Sequence, residues 1–362
     1  MVHCGVEQLV ARWAHNPKVI GSSPVPATRK SLVSTKLFFC PTFFWVLCVS
    51  NLILSFFILA FVIFVQINCM LFKSGFVNII GKPNAGKSTL MNALIGERLS
   101  IITPKAQTTR HRIIGILNNP EYQIVFSDTP GIIRDPAYKL QESMNNFIEG
   151  SFKDADLFLY IAEIGQSPSI DDVPEQIRST NIPILLILNK IDTSTQAIVE
   201  KKVTQWKSLI PNAEIIPVSA LLNFNLEYIL KCILVHLPEG PLYFEQDALT
   251  DRSERFFVTE IIREKILLNY QKEIPYSVEV VVEEFKDEPD IAKIQAVIYV
   301  TRDSQKGIII GHQGSMLKKV STEARIAMES FLGKKVFLAV QVKVNKDWRD
   351  NDRQLKRFGY IN

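Results

Sequence analysis

Gly81-Lys82-Pro83-Asn84-Ala85-Gly86-Lys87-Ser88 fits the spacing G-x-x-x-x-G-K-[ST], the pattern of a loop that wraps a polyphosphate. Gly81 and Gly86 permit the tight turn and let backbone N–H groups approach phosphates, backed by the positive end of a helix. Lys87 can reach the outer phosphates, and the Ser88 hydroxyl can ligate Mg²⁺. Such a loop needs a buried strand before it and a helix after it. The apolar run 75–80 predicts the strand, and residues 89–95, opening at Thr89, have a helical composition. The chemistry implied is binding of a nucleoside triphosphate.

Guanine is the base that Asn189-Lys190-Ile191-Asp192 suits, placed directly after the apolar run 184–188. The Asp192 carboxylate can accept from both N1–H and the exocyclic amine of guanine, whereas adenine would leave a buried Asp192 unpaired. Asn189 braces the loop and the Lys190 stem covers the base face. Ser219-Ala220, after the predicted strand 214–218, fits a further base-contacting loop. Asp128-Thr129-Pro130-Gly131 follows the strand 122–126, where an acid can hold Mg²⁺ through water and the Gly131 N–H can donate to a γ-phosphate. Upstream, Gln107-Thr108-Thr109-Arg110 offers a Mg²⁺-binding threonine, Thr109 in preference to Thr108. Both segments are expected to order around the γ-phosphate and relax after hydrolysis. Ile132 stands where many Ras-like proteins carry a water-orienting glutamine. No side chain is therefore assigned as catalyst, and the Gly131 backbone, Lys87 and Thr109 are the expected support for the transition state. Asn84 is a candidate ligand for K⁺ beside the phosphates.

These residues require an α/β sheet, and the chain closes it with Leu226, Ile229, Leu230, Ile233, Leu234 and Leu237 at helical spacing. Leu237-Pro238-Glu239-Gly240-Pro241 marks a boundary, so residues 70–241 form one domain and residues 242–362 a second with its linker. Asp251-Arg252-Ser253-Glu254 has the form of a capped helix start, with Val258, Ile262 and Ile266 on one side. Alternating residues then predict two strands, Tyr276, Val278, Val280 and Val282 followed by Ile294, Ala296, Ile298 and Val300. A second site follows at Gly307-Ile308-Ile309-Ile310-Gly311-His312-Gln313-Gly314, read as an apolar turn ending in G-x-x-G before a helix over 316–331. Such a turn clamps single-stranded nucleic acid: the glycines admit phosphates and the apolar groove takes bases. Residues 304–362 carry 12 basic and 5 acidic side chains, whereas 245–303 carry 8 and 14. That asymmetry is expected to set Lys306, Lys318, Lys319, Arg325, Lys334 and Lys335 near the turn.

The uncharged run 37–66 exceeds the ~20 residues that cross a bilayer. Read literally it is a transmembrane helix with Arg29, Lys30 and Lys36 on its cytoplasmic side. Residues 5–27, however, resemble the peptide obtained when a transfer-RNA gene is read as protein, and Met70 stands just before the first strand. The preferred reading is that residues 1–69 are a doubtful extension and that synthesis starts at Met70. Without them Arg12, Lys18, Arg29, Lys30, Lys36 and Glu7 are lost, and the formal charge falls from +4 to zero. Cys232 alone remains of five cysteines, which excludes an internal disulfide and suits a reducing cytosol.

The order helix, strand, strand, G-x-x-G turn, helix, strand (336–344) is that of a bacterial-type KH module. Joined to the GTPase motifs, it resembles the Era family across residues 70–362. The strings that carry the resemblance are 81–88, 106–112, 128–132, 189–192, 237–241, 249–256 and the G-x-x-G turn. It implies a P-loop Ras-like GTPase domain, α/β, followed by an α+β type II KH domain. It further implies a cytoplasmic monomer that turns GTP over to GDP with Mg²⁺. It also implies binding near the 3′ end of small-subunit ribosomal RNA on the 30S particle, in small-subunit assembly, with peripheral contact at the inner membrane. The RNA-contacting residues would be Gly307, Gly311, His312, Gln313, Gly314, Lys318 and Lys319. Two other readings stand beside it: a membrane-tethered GTPase in signalling or transport, and a non-catalytic RNA-binding scaffold.

Overall fold

The computed structural model describes residues 72–361. The apolar run 37–66 and the reading of residues 1–69 lie outside the described residues. Among the described residues no helix is long and apolar enough to cross a membrane.

Six strands form the first sheet: β1 Lys73–Gly81, β2 Ile113–Asn119, β3 Tyr122–Asp128, β4 Leu157–Glu163, β5 Ile184–Asn189 and β6 Glu214–Pro217, in the order β2-β3-β1-β4-β5-β6. All neighbours are parallel except the β2–β3 pair. A parallel sheet is covered on both faces, which is why β4 and β5 are nearly continuous apolar runs. The covering helices are α1 Lys87–Ile95, α2 Lys139–Lys153, α3 Glu175–Arg178, α4 Gln196–Leu209 and α5 Leu226–His236. Val77, Ile79, Leu90, Leu94, Ile229 and Ile233 pack on one face, and Ile80, Phe158, Tyr160, Leu186 and Trp206 on the other. The phosphate loop, the Asp128 loop and the Asn189 loop all leave the carboxyl ends of strands, where open α/β sheets place ligands.

The linker after the boundary is not slack chain. Gln123, fully buried, accepts from the N–H groups of Tyr243 and Phe244 (2.8 and 3.0 Å) and donates to the Phe244 carbonyl at 2.9 Å. The Ile116 N–H donates to Leu249 O at 2.8 Å and the Thr250 hydroxyl to Ile114 O at 2.6 Å. The strap thus satisfies polar groups of β2, an edge strand of the sheet.

The second unit runs α6 Glu254–Asn269, β7 Glu279–Asp287, β8 Ile291–Val300, α7 Asp303–Ile310, α8 Ser315–Leu332, β9 Lys335–Val344 and α9 Asp352–Arg357. The three strands are ordered β7-β8-β9, antiparallel then parallel. Val258, Ile262 and Ile266 of α6 meet Val280, Val282, Ile294 and Ile298 of the sheet and Ala324 and Met328 of α8. Three expectations are corrected. Ser253 is the N-cap of α6, but its side chain makes no capping bond. Tyr276 belongs to a 3₁₀ turn, and its strand begins at Glu279. Residues 307–310 are the last turn of α7 and not a loop, because Ile309 inserts fully into the core and holds the segment helical.

The two units share a polar, buried interface. Arg110 is 1 % exposed and donates to Val278 O at 2.7 Å, Glu279 Oε2 at 3.1 Å and Pro275 O at 3.2 Å. Arg263, paired with Glu260, donates to Thr108 O, and the Lys105 amine donates to Leu267 O and Tyr270 O at the end of α6. His111 stacks on Tyr360 with ring centroids 4.4 Å apart, and burial lowers its pKa to about 3, so it stays neutral. Tyr360 donates to Glu279 at 2.9 Å. Burial pushes the Glu279 carboxyl up to about 7 from 4.5, with Arg110, the Tyr360 hydroxyl and Arg263 opposing and Glu260 adding to the rise.

A raised carboxyl pKa means that the folded protein binds more protons than the unfolded chain between the two values. Stability should therefore fall as pH rises from about 4.5 to about 7 through this group. Urea unfolding of Glu279→Gln across that range should show a flatter pH dependence than wild type. An unchanged slope would remove Glu279 as its source.

Candidate functional site

The phosphate loop bends into α1 at Gly86, which adopts a left-handed φ of 100°. A Cβ there would lie 2.2 Å from Asn189 Nδ2, so only glycine lets Asn189 approach. Asn189 uses that approach to join three loops: its amide donates to Ala85 O at 2.9 Å, and its oxygen accepts the Ala220 N–H at 3.1 Å. The Ser219 hydroxyl donates to Asp192 Oδ1 at 2.6 Å and orients the carboxylate. Asp192 is exposed and not buried in the protein alone, since it stands at the rim of the loops. Lys190, in the left-handed region, lays its amine 3.1 Å from Glu163.

At the other end of the loop, Lys87 is buried and donates to Gly81 O and Lys82 O at 3.0 and 2.9 Å. Burial lowers its pKa to about 8, with Asp128 opposing. Ser88 Oγ lies 2.6 Å from Asp128 Oδ2 and 2.9 Å from Thr109 Oγ1, and Thr109 Oγ1 is 3.3 Å from Asp128 Oδ2. Thr108 points elsewhere, to Lys105 O at 2.6 Å and Thr103 Oγ1 at 2.7 Å. Burial raises the Asp128 pKa, and its Oδ1 is buried without a hydrogen-bond partner. Two hydroxyls and one under-satisfied carboxylate form a hard oxygen set of the kind that holds Mg²⁺ together with substrate phosphates. Among the described residues there is no cluster of three or more His, Cys, Asp or Glu side chains that could hold a metal by themselves.

The remaining predicted residues fall around this centre. Thr129 donates to Ile79 O at 2.8 Å, anchoring the strand end. Gly131 sits so close to Pro83 that a Cβ would meet its ring at 2.7 Å. Ile132 packs on the apolar cluster of β4 and β5. Asn84 donates to Pro104 O at 3.0 Å, linking the phosphate loop to the segment before Thr109. The sequence reading missed Asp172, which pairs with both Lys82 and Arg134 at 2.5 Å. It also missed Asn145, which brackets the backbone of Ile133. Asp172 and Asn145 stand apart in sequence from the motif-bearing segments that they brace, so no local spacing marks them.

The G-x-x-G turn joins α7 to α8. Gly311 (φ 71°) has no room for a Cβ, which would lie 2.7 Å from Met316, whereas a Cβ at Gly314 (φ 79°) meets nothing within 4 Å. His312 and Gln313 are exposed at the tip, and Lys318 and Lys319 are exposed on the first turns of α8. Gly307 is exposed on α7 one turn before Gly311, beside the exposed Ile308. The expected basic cluster is smaller than the charge count suggested. Lys334 and Lys335 follow the far end of the 18-residue α8, about 27 Å from the turn, and Lys334 pairs with Asp287. Arg325 pairs with Glu329 partway along. Lys306, Lys318 and Lys319 remain.

A sheet of this order with phosphate, base and γ-phosphate loops at its strand ends, followed by a G-x-x-G module, defines a P-loop GTPase fused to a KH domain. Residues 76–190 match the family described as a 50S ribosome-binding GTPase, and residues 273–349 match the KH domain family. The chain is 46% identical over 295 residues to GTPase Era of Syntrophus aciditrophicus, covering 80% of this chain and 96% of that protein. It is 45% identical over 293 residues to GTPase Era of Clostridium kluyveri, covering 80% and 99%. The crystal structure of Era in complex with MgGDPNP and nucleotides 1506–1542 of 16S ribosomal RNA superposes with a TM-score of 0.77 at 38% identity, over 80% of this chain and 100% of that one. A single-site variant of Aquifex aeolicus Era bound to GDP and aluminium fluoride gives 0.76, also at 38% identity and the same coverage. The chain belongs to the Era family of GTPases.

Base selection should rest on Asp192, which Ser219 already holds. Asp192→Asn should weaken GTP by about two orders of magnitude and move preference toward xanthosine triphosphate, whose extra carbonyl suits an amide donor. Competition titration with ATP, GTP and xanthosine triphosphate measures it, and a wild type that binds ATP as well as GTP would end the assignment.

Proposed function

We propose that this chain binds and hydrolyses GTP, and that its KH module binds the 3′ region of small-subunit ribosomal RNA during small-subunit assembly. One observation carries the reading. The segment that places Thr109 beside Ser88 and Asp128 is the same segment whose Thr108 and Arg110 are held by the KH module. A related Era crystallises with both a GTP analogue and a 3′ stretch of 16S ribosomal RNA, which supports the same pair of ligands here.

In this reading the backbone N–H groups of residues 81–88 and the N-terminus of α1 hold the phosphates, and Lys87 leaves the loop carbonyls for their outer oxygens. Ser88, Thr109 and Asp128 (through water) hold Mg²⁺, which when bound neutralises charge on the leaving phosphates. Gly131 offers its N–H to the γ-phosphate. Ser219, Asn189 and Asp192 select guanine. Asn84 is the candidate K⁺ ligand, since Ile132 cannot orient water and an added cation would offset transition-state charge. The G-x-x-G turn presents the N-terminus of α8 to RNA phosphates, with Ile308 at the base-binding groove. The extents 70–241 and 242–362 remain our proposed domain division.

Gly314→Asp is the milder RNA test: both glycines hold a left-handed φ that strains a side chain, but Gly314 has open space where Gly311 would also clash with Met316, and Asp tolerates that φ better than most residues. It should lower affinity for single-stranded 3′ ribosomal RNA by about tenfold or more, with GTP affinity unchanged, as a carboxylate at the phosphate cradle requires. Filter binding at several salt concentrations reads it, and wild-type RNA affinity in the variant would refute the KH reading. A turnover assay separates the GTPase from a non-catalytic scaffold.

If Asn84 holds K⁺, turnover should be faster in potassium than in sodium, and Asn84→Ala should abolish the difference while GDP binding persists. Equal rates in the two salts would remove the cation role.

A further inference from the structure

Asn145 lies outside every motif, on the α2 face that looks toward the Asp128 loop. Its side chain accepts the Ile133 N–H at 3.3 Å and donates to the Ile133 carbonyl at 2.8 Å. A primary amide paired with both polar groups of one residue fixes that residue's backbone in the manner of a short sheet pair. Ile133 is two residues beyond Gly131 and adjoins Ile132, the position whose aliphatic side chain has no polar atom to offer an attacking water. With both polar groups of Ile133 engaged by Asn145, the backbone groups of Gly131 and Ile132 are then the polar groups that this loop can present there.

Asn145 can only transmit order if α2 is itself held, and it is held at both ends. At its start, Lys139 pairs with Asp352 at 2.8 Å, its N–H donates to Asp350 at 3.2 Å, and Leu140 and Met144 pack with Trp348, Leu355 and Tyr360 of the C-terminal segment. The Arg349 guanidinium lies 4.4 Å over the Tyr138 ring. At its end, the carbonyl of Ser151 accepts from Asn78 of β1. The KH unit therefore reaches the Asp128 loop by a physical route: residues 348–360, then α2, then the Asn145 amide, then the Ile133 backbone.

Resting on the GTPase reading above, we propose that Asn145 is a positioning residue for GTP hydrolysis, setting the backbone of 131–133 in place of a water-orienting side chain. The test is steady-state GTP hydrolysis by the full chain, comparing wild type, Asn145→Ala and the isosteric Asn145→Asp. Asn145 is only half-buried, and Asp preserves the packing volume while losing the donor to the Ile133 carbonyl. Both variants should lose about tenfold or more in kcat, with KM for GTP and affinity for GDP within about twofold of wild type, as displacement of a reacting group without loss of ground-state binding predicts. Wild-type kcat in either variant overturns the assignment, as does a parallel loss of GDP affinity, which a merely structural role would produce. A wild type that binds no GTP overturns the nucleotide reading and the assignment with it. Active wild type with equally active variants overturns the assignment alone.

Discussion

Arg110 carries a permanent charge into a region with almost no access to water, and the arrangement of the molecule follows from how that charge is satisfied. Removing a guanidinium from water costs several kcal/mol unless nearly every N–H finds an acceptor. Here the acceptors are the carbonyls of Pro275, Tyr276 and Val278 and the Glu279 carboxylate, all from the KH unit. Those carbonyls belong to the 3₁₀ turn and strand start that open the small sheet, so they cannot shift without disturbing its core. One residue upstream of Arg110 is Thr109, within hydrogen-bonding distance of Ser88. A rigid acceptor set in one unit thus holds the segment that completes the nucleotide centre in the other.

Further contacts surround that anchor and differ in chemistry. The Arg263–Glu260 pair adds a second guanidinium, bonded to Thr108 O, and keeps the interface polar at its centre. His111 fills an aromatic slot between Phe147, Phe256 and Tyr360, where burial keeps it uncharged, helped by the nearby Arg252, Arg263 and Arg110. The C-terminal segment supplies an apolar contact through Trp348, Leu355 and Tyr360 against α2. The strap over 242–250 closes the β2 edge and limits how far the units can separate. Polar, aromatic and apolar contacts therefore converge on the Thr109 segment and on the loop and helix that follow Asp128. Rearrangement of either loop has to be shared with the KH unit.

The nucleotide centre shows the same economy at shorter range. Asn189 spans the phosphate loop and the Ala220 loop with one amide, and Gly86 exists to admit it. Asp172 couples Lys82 to Arg134 in a similar way. Lys87 and Asp128 are both buried and both displaced toward their neutral forms by desolvation. A polyanion with a divalent cation would supply what each lacks, so ligand binding and the ionised forms of these two side chains would favour one another.

The chemistry of the chain was legible in the amino-acid order wherever a few neighbouring residues act as one unit. The loop 81–88, the tetrads at 128 and 189, and the alternating strands of the KH sheet work through local backbone geometry, and spacing alone records that. Family, fold class and base preference follow from them. Properties that depend on residues far apart in the chain were decided by the tertiary structure. Arg110 read as part of a polar loop and is among the most buried side chains. The run 307–310 read as a turn and became helix, because burying Ile309 outweighs the helix cost of Gly307, on the order of 1 kcal/mol. Lys334 and Lys335 counted toward the basic turn until an 18-residue helix carried them to its other end. Thr109 was separated from Thr108 only by which hydroxyl faces Asp128, and Asn145 emerged only as a partner of Ile133. Local sequence encodes backbone conformation and motif chemistry, whereas pairing across the fold depends on packing that no short stretch contains.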